Sequence, residues 1–147
     1  MLATRSTVWF GILIVLAAVD RIVKEFIKIN PTSESEGFFY LSYWPNRNLA
    51  LGLPAPSWLS LSLTIIALII IIYLAVFAYQ KKNYWLLAAT TLILVGGVSN
   101  LIDRLLYGQI IDLIHIWLLP IFNLADAYLM AGLLLFLFSL KIKKYVS

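Results

Sequence analysis

The sequence predicts an all-α membrane protein with four transmembrane helices and a small extracytoplasmic β-like element between the first two helices. Of its 147 residues, 63% are hydrophobic and only 12% are charged, and the mean hydropathy is +0.95. A soluble domain carries about 25% charged residues. Four apolar segments approach the roughly 20 residues that a helix needs to cross a bilayer. We therefore expect one integral membrane domain covering residues 1–147.

The four expected spans are residues 8–28, 58–79, 84–103 and 122–140. The last three are continuous apolar runs. The first is apolar only through "VWFGILIVLAAV" and reaches membrane length if the helix continues through "DRIVKEFIKI". A cleaved signal peptide is the alternative for this span, but "AAVDR" is a poor cleavage site and the residues before the span are weakly basic. An uncleaved helix is the better interpretation.

The segment 30–57 between the first two spans combines prolines with the aromatic run "FFYLSYW". Aromatic residues favour strands, and proline and glycine favour turns, so this segment predicts short strands and turns outside the cytoplasm. A disordered connector is the alternative, but it would leave five aromatic side chains in water. Aromatic residues of this kind favour the headgroup zone of a bilayer.

The distribution of lysines predicts the orientation of the chain. Lys81 and Lys82 lie in the tight connection between the second and third spans, and three more lysines follow the fourth span. Because lysine and arginine concentrate in cytoplasmic loops, we expect both termini in the cytoplasm. The connections after the first and third spans then face the extracytoplasmic side, although several basic residues also fall there.

The composition excludes several kinds of site. The chain has no cysteine and a single histidine, so disulfides, thiol nucleophiles and multi-histidine metal sites are excluded. The net charge of +4 suits a protein beside anionic lipid, and no pattern in the sequence points to nucleic acid.

The polar residues in this apolar chain fall at one depth of the expected membrane, at the extracytoplasmic ends of the spans. Interfacial caps and ion pairs are one explanation: an aspartate and a lysine spaced i,i+4 form a helix-surface pair worth a few tenths of a kcal/mol. Asp103 beside Arg104 would then be a polar helix end. The residues at this level are Asp20, Lys24, Asn100, Asp103, Arg104, Asp112, Asn123 and Asp126.

Asp112 and Asp126 are the candidate catalytic residues. Asp112 stands between "QII" and "LIHIW", and Asp126 lies in the first turn of the fourth span, with Asn123 at the expected N-cap. Two carboxylates brought together in a low dielectric share a proton, which is how aspartic proteases activate water. Spacing alone leaves a proton relay and structural capping open as alternatives.

Glycines predict close approaches and one turn. Gly96 and Gly97 in the third span, and Gly132 in the fourth, are expected where helices pack closely. Gly108 is expected to reverse the chain after "RLLY".

Three blocks of the chain resemble those of the bacterial lipoprotein signal peptidase (signal peptidase II) family. The segments "VGGVSNLIDR", "GQIIDL" and "FNLADAYLMAG" correspond to the family blocks G-G-x-x-G-N-x-x-D-R, G-x-V-x-D-F and F-N-x-A-D-x-x-x-x-x-G. The order, the spacing and the four-span plan agree over most of the chain. The chain resembles a divergent member of this family.

The resemblance implies roles for individual residues. The catalytic aspartates of the family fall on Asp112 and Asp126. The residues that match the supporting and substrate-orienting positions are Asp20, Lys24, Asn46, Asn100, Asp103, Arg104 and Asn123. The positions that depart from the family blocks are Arg21, Val23, Asn48, Leu51, Ser99 and Leu113.

The resemblance also implies a reaction. It implies an intramembrane aspartic endopeptidase that removes the signal peptide from diacylglyceryl-modified prolipoproteins. The cut would lie N-terminal to the lipidated cysteine, near the outer face of the bacterial cytoplasmic membrane. The resemblance implies no metal and no cofactor. The family is the target of globomycin, and the partners implied are the lipidated substrate and membrane lipid. One chain contains both aspartates, so we expect a functional monomer.

Two alternatives to a peptidase follow from the sequence. A small proton-coupled transporter or channel subunit would also carry aspartates within short apolar helices. A relative that binds lipopeptides and cleaves them weakly would share the motifs and differ at the departing positions.

Overall fold

The computed structural model describes residues 2–30, 37–49 and 53–146. The departing residue Leu51, and residues 31–36 of the expected extracytoplasmic segment, lie outside the described residues. Within these ranges the elements are α1 (Leu2–Ile29), β1 (Phe39–Asn46), α2 (Ser57–Gln80), α3 (Tyr84–Tyr107), β2 (Ile110–Ile116) and α4 (Leu124–Val146).

Three helices in the described part of the chain are long and apolar enough to cross a membrane: Ser57–Gln80, Tyr84–Tyr107 and Leu124–Lys141. They confirm the apolar helices expected for the second, third and fourth spans. Ile66 and Ile69 of α2 are more than half exposed, as suits side chains that face lipid. Helix α1 is 28 residues long, and its role as a fourth membrane span stays a prediction.

Helix α3 is the central helix, and it packs against α1, α2 and α4. A Cβ atom added to Gly132 of α4 would lie 2.7 Å from Ile93 Cγ1 and 2.8 Å from the Ala89 carbonyl oxygen of α3. A Cβ on Gly96 of α3 would collide with the Ala125 carbonyl oxygen of α4. The two backbones therefore approach to a distance that only glycine permits, which confirms the expected close packing.

Both ends of α3 follow from local sequence. The Asn83 side chain caps the N-terminus by accepting a hydrogen bond from the Leu86 amide at 3.1 Å. At the C-terminus Gly108 adopts a φ of 67°, and its amide donates to the Arg104 carbonyl oxygen at 3.0 Å. The predicted turn at Gly108 is confirmed. The helix continues through Tyr107, four residues past the predicted end, so Arg104 lies in its last turn.

The β-like element is a two-stranded antiparallel sheet of β1 and β2. The sequence predicted this element between α1 and α2, and the structure corrects that prediction, because one strand comes from the connection between α3 and α4. A lone β1 would leave its backbone N–H and C=O groups unpaired. The segment "IIDLIHI" is rich in β-branched residues and supplies the partner strand.

Candidate active site

The N-terminus of α4 fixes the first candidate carboxylate. Asn123 Oδ1 accepts a hydrogen bond from the Asp126 amide at 2.9 Å, and Asp126 Oδ2 accepts one from the Asn123 amide at 3.3 Å. This is a reciprocal capping box, and it confirms Asn123 as the N-cap residue. The other carboxylate oxygen, Asp126 Oδ1, accepts a hydrogen bond from Asn100 Nδ2 of α3 at 2.8 Å.

The second candidate carboxylate, Asp112, lies on β2 and is only 1% exposed. Its two oxygens accept hydrogen bonds from two different amides. Asn123 Nδ2 donates to Oδ1 at 2.8 Å, and Asn46 Nδ2 donates to Oδ2 at 2.8 Å. Asn46 is the last residue of β1, and its own Oδ1 accepts from the Asn48 amide at 2.9 Å, which holds the side chain in place.

Two asparagine amides connect the two carboxylates. Asn123 Nδ2 donates to Asp112 and also to Asn100 Oδ1 at 3.3 Å, and Asn100 Nδ2 donates to Asp126. The fold therefore brings together four of the residues singled out from the sequence, although they come from β2, α3 and the start of α4. A fifth, Asn46, joins them from β1.

Burial changes the acidity of Asp112. Removal from water raises the pKa of Asp112 to about 6, and the negative charge of Asp126 also raises it. Hydrogen bonds from Asn46 and Asn123 stabilise the ionised form and lower the pKa, but they do not outweigh burial. Asp112 can consequently take up or release a proton close to neutral pH, as a general acid or base requires.

A group of buried charges lies between α1 and α3. Lys24 Nζ is 2.7 Å from Asp103 Oδ2 and 3.1 Å from Asp20 Oδ2, and all three side chains are fully buried. The interpretation of Asp20 and Lys24 as a helix-surface pair is therefore wrong. Charges removed from water need close partners, and here one lysine is shared by two carboxylates.

Arg21 and Ser99 complete this group, which we call the ion cluster: Asp20, Arg21, Lys24, Ser99 and Asp103. Arg21 Nη2 lies 2.6 Å from Asp103 Oδ1 and 3.1 Å from Ser99 Oγ. Ser99 Oγ in turn donates a short hydrogen bond to Asp20 Oδ2.

Arg104 points away from the ion cluster, towards α2. Its Nε donates a hydrogen bond to Ser60 Oγ at 2.7 Å. The interpretation of Asp103 and Arg104 as one polar helix end is therefore wrong, because consecutive helical side chains point about 100° apart and have different partners here. A cavity of about 120 Å³ adjoins Arg104, and Asn46, Trp58 and Ser60 contribute to its lining.

Three residues of this region were not predicted from the sequence as parts of a site. Arg21 and Ser99 stood out only as departures from the family blocks, although the position of Arg21 beside Asp20, three residues before Lys24, was a usable signal. Ser60 carried no signal, because α2 begins with several serines of similar surroundings. The departing residue Leu113 is a buried core residue, 1% exposed.

Comparison with known proteins finds relatives over most of the chain. The model of the family described as signal peptidase (SPase) II matches residues 12–142. The lipoprotein signal peptidase of Syntrophomonas wolfei is 38% identical over 136 residues, which cover 88% of this chain and 89% of that protein. The lipoprotein signal peptidase of Streptococcus agalactiae serotype Ia is 35% identical over 138 residues, covering 88% of each chain.

Two solved structures share the fold. A bacterial membrane enzyme determined by the in meso method at 2.3 Å resolution gives a TM-score of 0.78 at 23% identity, over 94% of this chain and 90% of that one. A second bacterial membrane enzyme, determined by the same method at 1.9 Å resolution, gives a TM-score of 0.72 at 24% identity, over 91% and 92% of the two chains.

Proposed function

The chain belongs to the signal peptidase II family, and we propose that Asp112 and Asp126 are the catalytic pair with which it cleaves its substrate. Its activity is that of a lipoprotein signal peptidase, the removal of signal peptides from prolipoproteins. The observation that carries the assignment of the pair is the bridge through Asn100 and Asn123, which joins two largely buried carboxylates that come from different elements.

The pair would work as one ionised and one protonated carboxyl. The ionised carboxylate takes a proton from a water molecule, and the resulting hydroxide adds to the scissile carbonyl carbon. The protonated carboxyl gives its proton to the carbonyl oxygen. The carboxyl that formed in the first step then gives its proton to the amide nitrogen as the C–N bond breaks. The other carboxylate takes a proton from a hydroxyl of the tetrahedral intermediate, which becomes the new carboxylic acid, and the pair returns to its starting state. The raised pKa of Asp112 supports this division, because it allows a proton to be held near neutral pH.

The polar residues around the pair have two roles in this proposal. Asn100 and Asn123 orient the carboxylates, because each donates a hydrogen bond to one of them. Arg104 and Asn46 orient the substrate backbone from the wall of the adjoining cavity. Arg104 suits this role because Ser60 fixes its Nε while the rest of the guanidinium keeps further donors for peptide carbonyl oxygens.

We further propose the setting of the reaction. The substrate carries a diacylglyceryl cysteine, and cleavage occurs on the N-terminal side of that cysteine. Residues 1–147 act as a single domain and as a monomer, since the pair is formed within one chain. Helix α1 is the fourth membrane span, both termini are cytoplasmic, and the pair lies near the extracytoplasmic face of the bacterial cytoplasmic membrane.

A cleavage assay in detergent tests the catalytic pair. The substrate is a diacylglyceryl-modified prolipoprotein, and the enzymes are the parent, Asp112→Asn and Asp126→Asn. We expect cleavage by the parent and a loss of at least about a thousandfold in each variant, because a single carboxylate cannot supply both proton transfers. Thermal unfolding of each variant shows that the loss is not a loss of fold.

The matched control is Glu25→Gln, which neutralises an exposed carboxylate that bonds to Lys28 and Tyr107 near the end of α1. This variant should cleave like the parent. A folded parent that does not cleave, with proton flux across liposomes instead, would favour a transporter. Binding of the lipopeptide without cleavage would favour a binding relative. Cleavage retained in either aspartate variant would refute the pair.

A further inference from the structure

The ion cluster holds the backbone next to both proposed catalytic residues. Asp20 Oδ1 accepts a hydrogen bond from the Ala125 amide at 2.9 Å, and Asp103 Oδ2 accepts one from the Ile111 amide at 3.3 Å. Each of these amides belongs to the residue that precedes one aspartate of the pair. A change in the position of either cluster carboxylate therefore moves the backbone next to Asp112 or Asp126.

The charges of the ion cluster balance only when Arg21 is counted. Asp20 and Asp103 bring two negative charges, and Lys24 supplies one positive charge to both. Arg21 supplies the second positive charge, through a single nitrogen. Its Nη2 lies 2.6 Å from Asp103 Oδ1, 3.4 Å from Asp20 Oδ2 and 3.1 Å from Ser99 Oγ. The Arg21 side chain is 24% exposed, whereas the other three charged residues of the ion cluster are fully buried.

We propose that Arg21 is a positioning residue for the catalytic pair: its charge neutralises the ion cluster, keeps both cluster carboxylates in place, and sets the pH range over which the enzyme works. This inference rests on the proposed function of Asp112 and Asp126. Without Arg21, two buried carboxylates share one lysine. The unbalanced negative charge then lies close to Asp112 and Asp126, and this pair must itself carry one negative charge to act.

The electrostatic consequence has a definite sign. An added negative charge nearby disfavours ionisation of Asp112, so the acid limb of the pH–rate profile moves to higher pH. Removing one charge across a partly buried site moves such a limb by roughly half a unit to one unit. The other ionisable groups on the segments around Asp112 are His115 of β2, Tyr40 and Tyr43 of β1, Arg47 after β1, Asp20, Lys24, Glu25 and Lys28 of α1, Asp103, Arg104 and Tyr107 of α3, and Asp126 and Tyr128 of α4.

The experiment compares pH profiles of kcat/KM for the parent, Arg21→Gln and Arg21→Lys on the lipidated substrate. Arg21→Gln should raise the acid limb by roughly half a unit to one unit. Arg21→Lys should keep the parent profile, because all contacts of Arg21 to the cluster come from one nitrogen, which a lysine ammonium can replace. The matched control is Lys28→Gln, which removes an exposed positive charge from the same helix and should leave the limb unchanged.

Infrared titration of the Asp112 carboxyl provides a readout that does not need turnover. The band of the protonated carboxyl is assigned by its loss in Asp112→Asn. It should titrate at higher pH in Arg21→Gln than in the parent or in Arg21→Lys. If the parent does not cleave but this shift is seen, the proposed function fails, while the electrostatic effect of Arg21 on Asp112 stands.

Three results would overturn the inference. The first is an acid limb and carboxyl titration that do not move in Arg21→Gln, even if the rate falls at every pH, because a purely structural role would produce that pattern. The second is an equal shift in Lys28→Gln, which would mean a general effect of net charge. The third is a shift in Arg21→Lys as large as that in Arg21→Gln.

Discussion

Replacing Asp112 by asparagine should remove a pH-dependent stability cost that this carboxylate imposes on the folded protein. Asp112 is 1% exposed, and burial raises its pKa from 3.8 to about 6. The folded state therefore binds the proton more tightly than the unfolded state does. The contribution of Asp112 to stability is most favourable below the unfolded pKa, falls as the pH rises from about 4 to about 6, and is constant above that range.

The magnitude follows from the difference between the two pKa values. A gap of about 2 units at about 1.4 kcal/mol per unit gives a cost of about 3 kcal/mol at neutral pH. Between about pH 4.5 and about pH 7.5 the cost grows by about 2 kcal/mol. An asparagine at this position would also turn an NH₂ group towards the amide of Asn46 or Asn123. The stability lost through this unfavourable contact does not depend on pH. The test is therefore how the difference in stability between the parent and Asp112→Asn changes with pH.

The assay is unfolding of the parent and Asp112→Asn in detergent at the two pH values, with loss of helical circular dichroism as the signal. The stability of Asp112→Asn relative to the parent should rise by about 2 kcal/mol from the lower to the higher pH. Asp103→Asn is the contrasting variant. It leaves Lys24 and Arg21 facing an uncharged amide and should lose about 3–5 kcal/mol. A difference between the parent and Asp112→Asn that stays constant with pH would refute the reasoning.

Two further substitutions test packing and substrate orientation. Gly132→Ala should lower the free energy of unfolding by about 1–3 kcal/mol, because its Cβ would lie 2.8 Å from the Ala89 carbonyl oxygen. Gly11→Ala, where a Cβ meets nothing within 4 Å, should leave stability unchanged or raise it by up to about 1 kcal/mol, and thermal unfolding measures both. Ser60→Ala should raise KM by roughly tenfold to a hundredfold with kcat little changed, since a hydrogen bond to the charged Arg104 is worth about 1.5–3 kcal/mol. A fall in kcat at constant KM would instead assign Arg104 to the chemical step.

The sequence by itself determined those features that depend on neighbouring residues. The lengths of the apolar runs predict the helices α2, α3 and α4, and the aromatic run predicts β1. The N-cap at Asn123 was also predictable, because a capping box is formed within four residues. The family blocks likewise lie within short segments, so the amino-acid sequence alone is enough to name Asp112 and Asp126 as the candidate pair.

The tertiary structure decided the features that join distant residues. The partner of β1 lies after α3, and Lys24 and Asp103 are 79 positions apart in the sequence. An i,i+4 spacing fixes which side chains are neighbours on a helix, but not whether that face of the helix is buried. Burial converts Asp20 and Lys24 from a weak surface pair into members of the ion cluster, because charges removed from water require close partners of opposite sign.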